Sequence, residues 1–393
     1  VAAQLPVRLP VRLRSARAAR LLGVAFTPVQ IEKLLLQQQI VFVREADDFT
    51  VTPPSWRFDL SIEEDFVEEL ARIYGYDNIP AQVPTALQGM LPQAEKQRPV
   101  ASLKNRLVDR DYQEVVTFSF VEEAWERDFA GNTTPVRLLN PIASQLAVMR
   151  SSLLGSLVQT LRQNLNHKQT RVRLFEVGTC FLRTGNQLLQ PERLAGLAYG
   201  FAQPEQWGLS SRLVDFYDVK ADIETLLTGR NLRWVAATHP ALHPGKSAQV
   251  WLGEQLLGWV GELHPQWLQH YDLPKAAVVF ELELALVQSA ELPQYREFAR
   301  LPAVRRDLAL VVDEAVTAQA LLEVASTHAS TALQDVRIFD VYRGKGIPEG
   351  KKSLAVQLHF QPLEKTLTEA DIENLVQPLL AHWQTILDAQ LRA

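Results

Sequence analysis

Ile62, Phe66, Leu70 and Ile73 recur at helical spacing in SIEEDFVEELARIY, and Asp65, Glu68 and Glu69 fall together on the other side. The pattern predicts a helix with one buried face and one acidic face. Upstream, SARAARLLG reads as a short helix ending at Gly23. TPVQIEKLLLQQQ reads as a second helix, started by Thr27 and Pro28. IVFVREADDFTVTPPSW reads as a hairpin that turns at Asp47–Asp48. Together these elements predict a winged-helix-like unit over residues 1–76. The proline-rich, aperiodic stretch after it reads as a linker over 77–94.

Residues 95–290 open with a helix in PVASLKNRLVDRDYQEV and a strand in VVTFSF. A long helix follows, capped by Ser151 or Ser152. RVRLFEVGTCFL, LAGLAYGF, the pair within SAQVWLGEQLLGWVGELHP, and AVVFELELALV read as strands. With the helix DFYDVKADIETLLTGR, they predict an antiparallel sheet flanked by helices. Residues 296–393 read β-α-β-β-α-β, the ferredoxin-like order, with Thr317 and Thr368 as helix caps. The expected fold class is α+β, in several domains.

Composition narrows the class further. A chain of 393 residues exceeds one ordinary core, and 47% hydrophobic with 22% charged residues is a globular composition. No apolar run reaches the length of a membrane span, and the start lacks a signal-peptide core, so no membrane is expected. The single cysteine, Cys180, excludes an internal disulfide framework and fits a cytoplasmic setting; in its apolar run it reads as a small buried hydrophobe. A net charge of −5 argues against a general nucleic-acid coat. Five arginines (Arg8, Arg12, Arg14, Arg17 and Arg20) nevertheless precede the first acid, Glu32, as either a solvated face or a contact for phosphate or an acidic partner. The chain starts at Val1 rather than Met, in mid-pattern, and reads as a piece of something longer.

Two groups carry candidate chemistry. Asp59, in the loop before the acidic helix, joins Asp65, Glu68 and Glu69 as oxygen donors of the kind Mg²⁺ takes. The plainer reading is a capping box from Ser61 to Glu64 and an ion pair from Glu68 to Arg72. In the last segment Phe298, Arg300, Arg305, Arg306, Arg343, Lys345, Lys351 and Lys352 are candidate RNA contacts, with Phe339 and Tyr342 as stacking surfaces. The plainer reading there is core aromatics, solvated lysines, and Asp307 paired to an arginine. GKGIPEGKKS has the wrong glycine spacing for a phosphate loop, and HPGKSA lacks the upstream glycine. His239, His243, His264 and His270 have irregular spacing and no cysteine partners, so zinc is not expected.

SWRFDLSIEEDFVEELARIYGYDNIP resembles the end of the helix-turn-helix-like domain in the β subunit of bacterial phenylalanyl-tRNA synthetases. The resemblance implies that Asp59, Asp65, Glu68 and Glu69 hold Mg²⁺, matching that family's acids one for one. LLNPIASQLAVMRSSLL, RLFEVG, DFYDVK, HPGKSAQV and GELHP resemble the degenerate class II synthetase core of the same subunit. An active class II site needs an arginine in its second motif and a glycine-rich third motif ending in arginine. RLFEVG offers Glu176 with no arginine directly ahead, and no G-x-G-x-x-R follows residue 250. The clamps for phosphate are missing, so no catalytic residue is expected in this chain. FARLPAVRRDLALVV and FDVYRGKGIPEGKKSLAVQLHFQ look like the family's anticodon-binding domain.

The resemblance covers essentially the whole chain, without the family's N-terminal tRNA-binding and editing domains. It implies a non-catalytic part of an α₂β₂ phenylalanine-tRNA ligase, partnered by a catalytic α subunit that uses ATP, and by phenylalanine tRNA. The alternatives are a self-sufficient synthetase-like enzyme and a free-standing RNA-binding or interaction protein built from the same modules.

Overall fold

The computed structural model describes residues 7–86, 89, 94–295, 299–328, 330–362 and 366–392. The chain divides into two compact units, Val1–Pro92 and Gln93–Ala393. Each unit combines helices and strands, an α+β architecture.

In the first unit the order is β1 (Val11–Leu13), α1 (Ser15–Leu22), α2 (Pro28–Gln37), β2 (Val41–Glu45), β3 (Asp48–Thr52) and α3 (Glu63–Tyr74). The strands form an antiparallel sheet in the order β1-β3-β2. Leu13, Ile31, Leu35, Phe49, Phe66 and Leu70 are wholly buried between sheet and helices. Gly23 ends α1 at φ 69°, and the Thr27 side chain accepts from the Gln30 amide while Gln30 bonds back to Thr27. The hairpin turns at Ala46–Asp47, not at Asp47–Asp48. Glu45 faces Asp48 across it, because Asp48 is fixed at the head of β3 by Arg12 at 2.9 Å and the Ser15 amide at 3.2 Å.

The second unit opens with α4 (Val100–Val108), β4 (Gln113–Glu114), β5 (Phe120–Val121) and α5 (Glu123–Trp125), which runs on as a π-helical turn at Glu126–Ala130. β6 (Val148–Met149), α6 (Leu154–Asn166), β7 (Val172–Thr179), the hairpin β8 (Leu182–Thr184) and β9 (Gln187–Leu189), and β10 (Glu192–Tyr199) follow. Then come α7 (Phe216–Leu226), β11 (Leu232–Ala236), β12 (Leu242–Leu252), β13 (Gln255–Leu263), α8 (Pro265–His270), β14 (Val278–Glu283) and α9 (Leu284–Gln288). The sheet order is β11-β12-β13-β14-β10-β7-β4, antiparallel except for β4 beside β7. Alternation sends Phe175, Leu194 and Phe280 to the core shared with α4 and α7, and Leu174, Ala195 and Val279 to the core shared with α6. Gly196 lets the Phe280 ring lie across the sheet, since a Cβ there would stand 2.3 Å from the ring.

VVTFSF does not form the expected strand. The Val115 amide donates to the Phe175 carbonyl at 2.9 Å and Phe120–Val121 pairs with Val148–Met149, but between them Thr117 is drawn to the Glu176 carboxylate at 2.7 Å. Of the two serines ahead of α6, Ser152 serves the helix, accepting from the Leu154 amide, whereas Ser151 is held by Glu126.

The chain ends with β15 (Val304–Asp313), α10 (Ala318–His328), β16 (Leu333–Tyr342), β17 (Lys351–Phe360), α11 (Glu369–Leu387) and β18 (Gln390–Leu391). The antiparallel order β16-β17-β15-β18 is the ferredoxin-like one. Helices α10 and α11 cover one face, with Trp383 fully buried and its indole donating to the Leu321 carbonyl at 3.0 Å. Thr317 and Thr368 accept from the Ala320 and Asp371 amides at the two helix starts.

Candidate metal and nucleic-acid sites

The four acids around α3 do not lie on one face. Glu69 turns inward with Phe66 and Leu70 and is 3% exposed, whereas Glu68 faces solvent. Arg57 lies between two of the acids: its Nη2 is 2.5 Å from Asp59 and 2.7 Å from Glu69. Arg72 approaches the other Glu69 oxygen at 2.5 Å, so it pairs three residues back rather than with Glu68. Asp65 accepts from the Ser61 and Ile62 amides at 2.7 and 2.9 Å, and Glu64 pairs with Arg17. The start of α3 is therefore closed by Asp65, not by a Ser61–Glu64 box.

Charge follows this geometry. Hydrogen bonding to Arg57 holds the Asp59 carboxyl down at about 2. Burial pushes Glu69 up, but the bonds from Arg57 and Arg72 outweigh it and leave the carboxyl below its ordinary value. Among the described residues no three acidic, histidine or cysteine side chains gather where they could hold a metal ion. The donor chemistry still suits a hard cation: all oxygen, with Asp59 and Glu69 close enough to share one cationic group.

Among the described residues, three of the five early arginines form ion pairs. Arg12 pairs with Asp48, Arg14 with Glu63, and Arg17 with Glu63 and Glu64, while Arg8 lies over the Phe58 ring at 5.3 Å.

In the large sheet Glu176 is sealed. Arg150 donates to it at 2.7 Å, and both residues are almost inaccessible. Cys180 is buried, and burial pushes its thiol far up, which leaves no nucleophile there. His239, His243 and His264 use Nδ1 to accept the amide two residues on, at 3.2, 3.0 and 3.1 Å; they are turn-closing groups. An exposed apolar surface was not foreseen from sequence. Val116 and Phe118 are 89% and 73% exposed beside a groove of about 560 Å³ that Trp125 and Leu146 also line. The apolar VVTFSF run carried the signal, but it reads equally well as a strand.

The C-terminal candidates fall into two sets. Arg305 pairs with Asp307 at 2.7 Å, Arg306 with Glu369 at 2.9 Å, Arg343 with Glu314 at 2.6 Å, and Lys351 with Asp388 at 3.3 Å. Lys352 donates to the Glu314 carbonyl at 2.8 Å. Arg300 and Lys345 are exposed, with no side-chain partner among the described residues. Phe298 lies outside the described residues. Phe339 and Tyr342 are exposed rather than core, and Arg392 stacks over Tyr342 at 5.1 Å.

The model of the phenylalanyl tRNA synthetase beta chain CLM domain matches residues 79–284, more than half of the sequence. The chain belongs to the phenylalanyl-tRNA synthetase beta chain family. The tRNA synthetase B5 domain matches residues 11–76, and the ferredoxin-fold anticodon binding domain matches residues 299–392. The phenylalanine–tRNA ligase beta subunit of Dechloromonas aromatica is 50% identical over 399 residues, covering 100% of this chain and 50% of that protein. Its counterpart from Chromobacterium violaceum is 50% identical over 390 residues, covering 99% and 50%. The chain thus spans about half the length of these phenylalanyl-tRNA synthetase relatives. Among the described residues no helix is long and apolar enough to cross a membrane.

Proposed function

We propose that this chain is the non-catalytic β portion of a cytoplasmic phenylalanine-tRNA ligase, in which a catalytic α subunit activates phenylalanine with ATP and esterifies it to tRNA. The sealed Glu176 carries this division of labour. A carboxylate closed by Arg150 at 2.7 Å is a structural group, and the pairing occupies a buried arginine of this class II-like sheet that could otherwise meet a phosphate. The winged-helix-like first unit and the degenerate class II sheet then act as scaffold.

The exposed Val116 and Phe118 form the surface on which the α subunit docks, completing an α₂β₂ assembly. The ferredoxin-like sheet reads the anticodon region through Arg300, Arg305, Arg306, Arg343, Lys345, Lys351 and Lys352. Of the four acids expected at a Mg²⁺ site, Asp59 and Glu69, which now share Arg57, would hold the ion in its place, while Asp65 caps α3 and Glu68 faces solvent; the ion would supply the positive charge that ties loop to helix.

Expression with a tag, followed by identification of what co-purifies, tests the reading. Recovery of a class II catalytic subunit in equal amount supports it. Amino-acid-dependent ATP–pyrophosphate exchange by the isolated chain would instead show a self-sufficient enzyme, and recovery of RNA alone a free-standing RNA-binding module.

A further inference from the structure

A pocket of about 700 Å³ opens where α7 ends, lined by Lys96, Arg98, Arg230 and Glu291 among others. Arg98 donates to the carbonyls of Leu226 and Thr228 at 3.0 and 3.3 Å. Arg106 donates to the same Leu226 carbonyl and to Thr225, each at 3.1 Å, so the two guanidinium groups share one acceptor. Arg230 donates to the Ser289 carbonyl at 3.3 Å and lies 3.4 Å from Glu291, an exposed side chain.

Basic side chains at a helix C-terminus are ordinarily explained by the carbonyls they satisfy. That account falls short in number. A helix end carries about half a negative charge, and three guanidinium groups with a nearby lysine exceed it several-fold. Other arginines of this unit that reach inward meet carboxylates: Arg150 with Glu176, Arg173 with Asp222, and Arg193 with Glu281. Here, among the described residues, Arg98 and Arg106 have main-chain partners only, and Glu291 is the one carboxylate lining the pocket. Burial chiefly, with repulsion from Arg106 and Arg230 beside it, lowers the Arg98 guanidinium from its ordinary value.

We infer that this pocket binds a phosphate group, held by Lys96, Arg98 and Arg230 with Arg106 behind them. The carbonyl bonds fix the guanidinium planes in advance and use only part of each one's five donors. The remaining N–H groups suit the paired oxygens of a phosphate, and Lys96 adds a mobile point charge at the rim. A free polyphosphate and the backbone of RNA carry the same group. None of these residues belongs to the sites described above, so the inference stands apart from the proposed function.

Calorimetry on the full chain at low salt, with inorganic pyrophosphate and separately with a short single-stranded RNA, tests it. Arg230→Gln is expected to weaken binding about tenfold and Arg230→Lys to recover part of it. Lys96→Gln should weaken binding about threefold; this exposed side chain has no partner among the described residues, so its loss leaves the fold intact. Sensitivity of pyrophosphate alone identifies a free polyphosphate as the source, and sensitivity of RNA alone identifies the backbone. The inference is overturned if neither probe binds, or if both bind equally well to wild type, Arg230→Gln and Lys96→Gln.

Discussion

Arg57 reaches Glu69 at 2.7 Å from the loop ahead of α3, so the inward-facing carboxylate of that helix meets a cation as it is buried. A buried carboxylate needs such a partner, and Glu69 has a second in Arg72. Glu69→Gln is therefore expected to cost about 1–3 kcal/mol, measured by thermal unfolding. The folded carboxyl sits below its unfolded value of 4.5, so its stabilisation is present above that pH and is lost as pH falls through the folded value. The gap between wild type and Glu69→Gln should close below about pH 4.5; a gap independent of pH would contradict the pairing.

Arg57 also competes for the acids that the proposed Mg²⁺ site requires. Arg57→Gln should raise Mg²⁺ affinity, and Glu68→Gln with Glu69→Gln should lower it, in calorimetric titrations of the assembled complex. Unchanged affinity in both would reject the site.

Arg150 and Glu176 are 3% and 2% exposed, so neither can turn to water for a substitute partner. Arg150→Met is expected to cost about 3–5 kcal/mol by stranding the carboxylate, read by urea unfolding. Arg150→Met with Glu176→Met should recover much of that loss. Gly178→Ala should also destabilise, because its methyl would stand 2.3 Å from the Arg150 guanidinium. Equal losses in the single and double variants would mean that packing, not charge, dominates.

Arg300 and Lys345 are unpaired among the described residues, whereas Arg343 is held by Glu314 at 2.6 Å. A cation already neutralised has less to offer a phosphate. Lys345→Gln and Arg300→Gln should each reduce the salt slope of tRNA binding by about one, and Arg343→Gln by less. The check is tRNA affinity measured across a salt series; a larger effect at Arg343 would reverse this ranking.

Phe118 is 73% exposed beside the apolar groove. Phe118→Asp should abolish recovery of the catalytic subunit, a loss of about 2 kcal/mol or more for a central aromatic, with the unfolding temperature of the isolated chain unchanged. Full recovery would place the docking surface elsewhere.

Long, regular elements were legible in the sequence. The β-α-β-β-α-β order of the last segment follows from ten-residue strands and threonine caps, and the structure keeps both. What escaped was set by distant partners. Strand β1 has three residues, too few to show a period. Glu68 and Glu69 have the same chemistry, and one step of helical rotation decides which is buried. Thr117 left its expected strand for a carboxylate 59 residues away, and Arg98 meets a carbonyl 128 residues on. Spacing rules do not reach that far.

The Arg150–Glu176 pair has a consequence for descent. A lineage that needed an open carboxylate at this place would first have to lose Arg150, and that step destabilises the sheet before any new ligand rewards it. Such a pair works as a barrier: while the arginine closes on the acid, selection for folding alone holds the sheet away from a ligand-facing carboxylate.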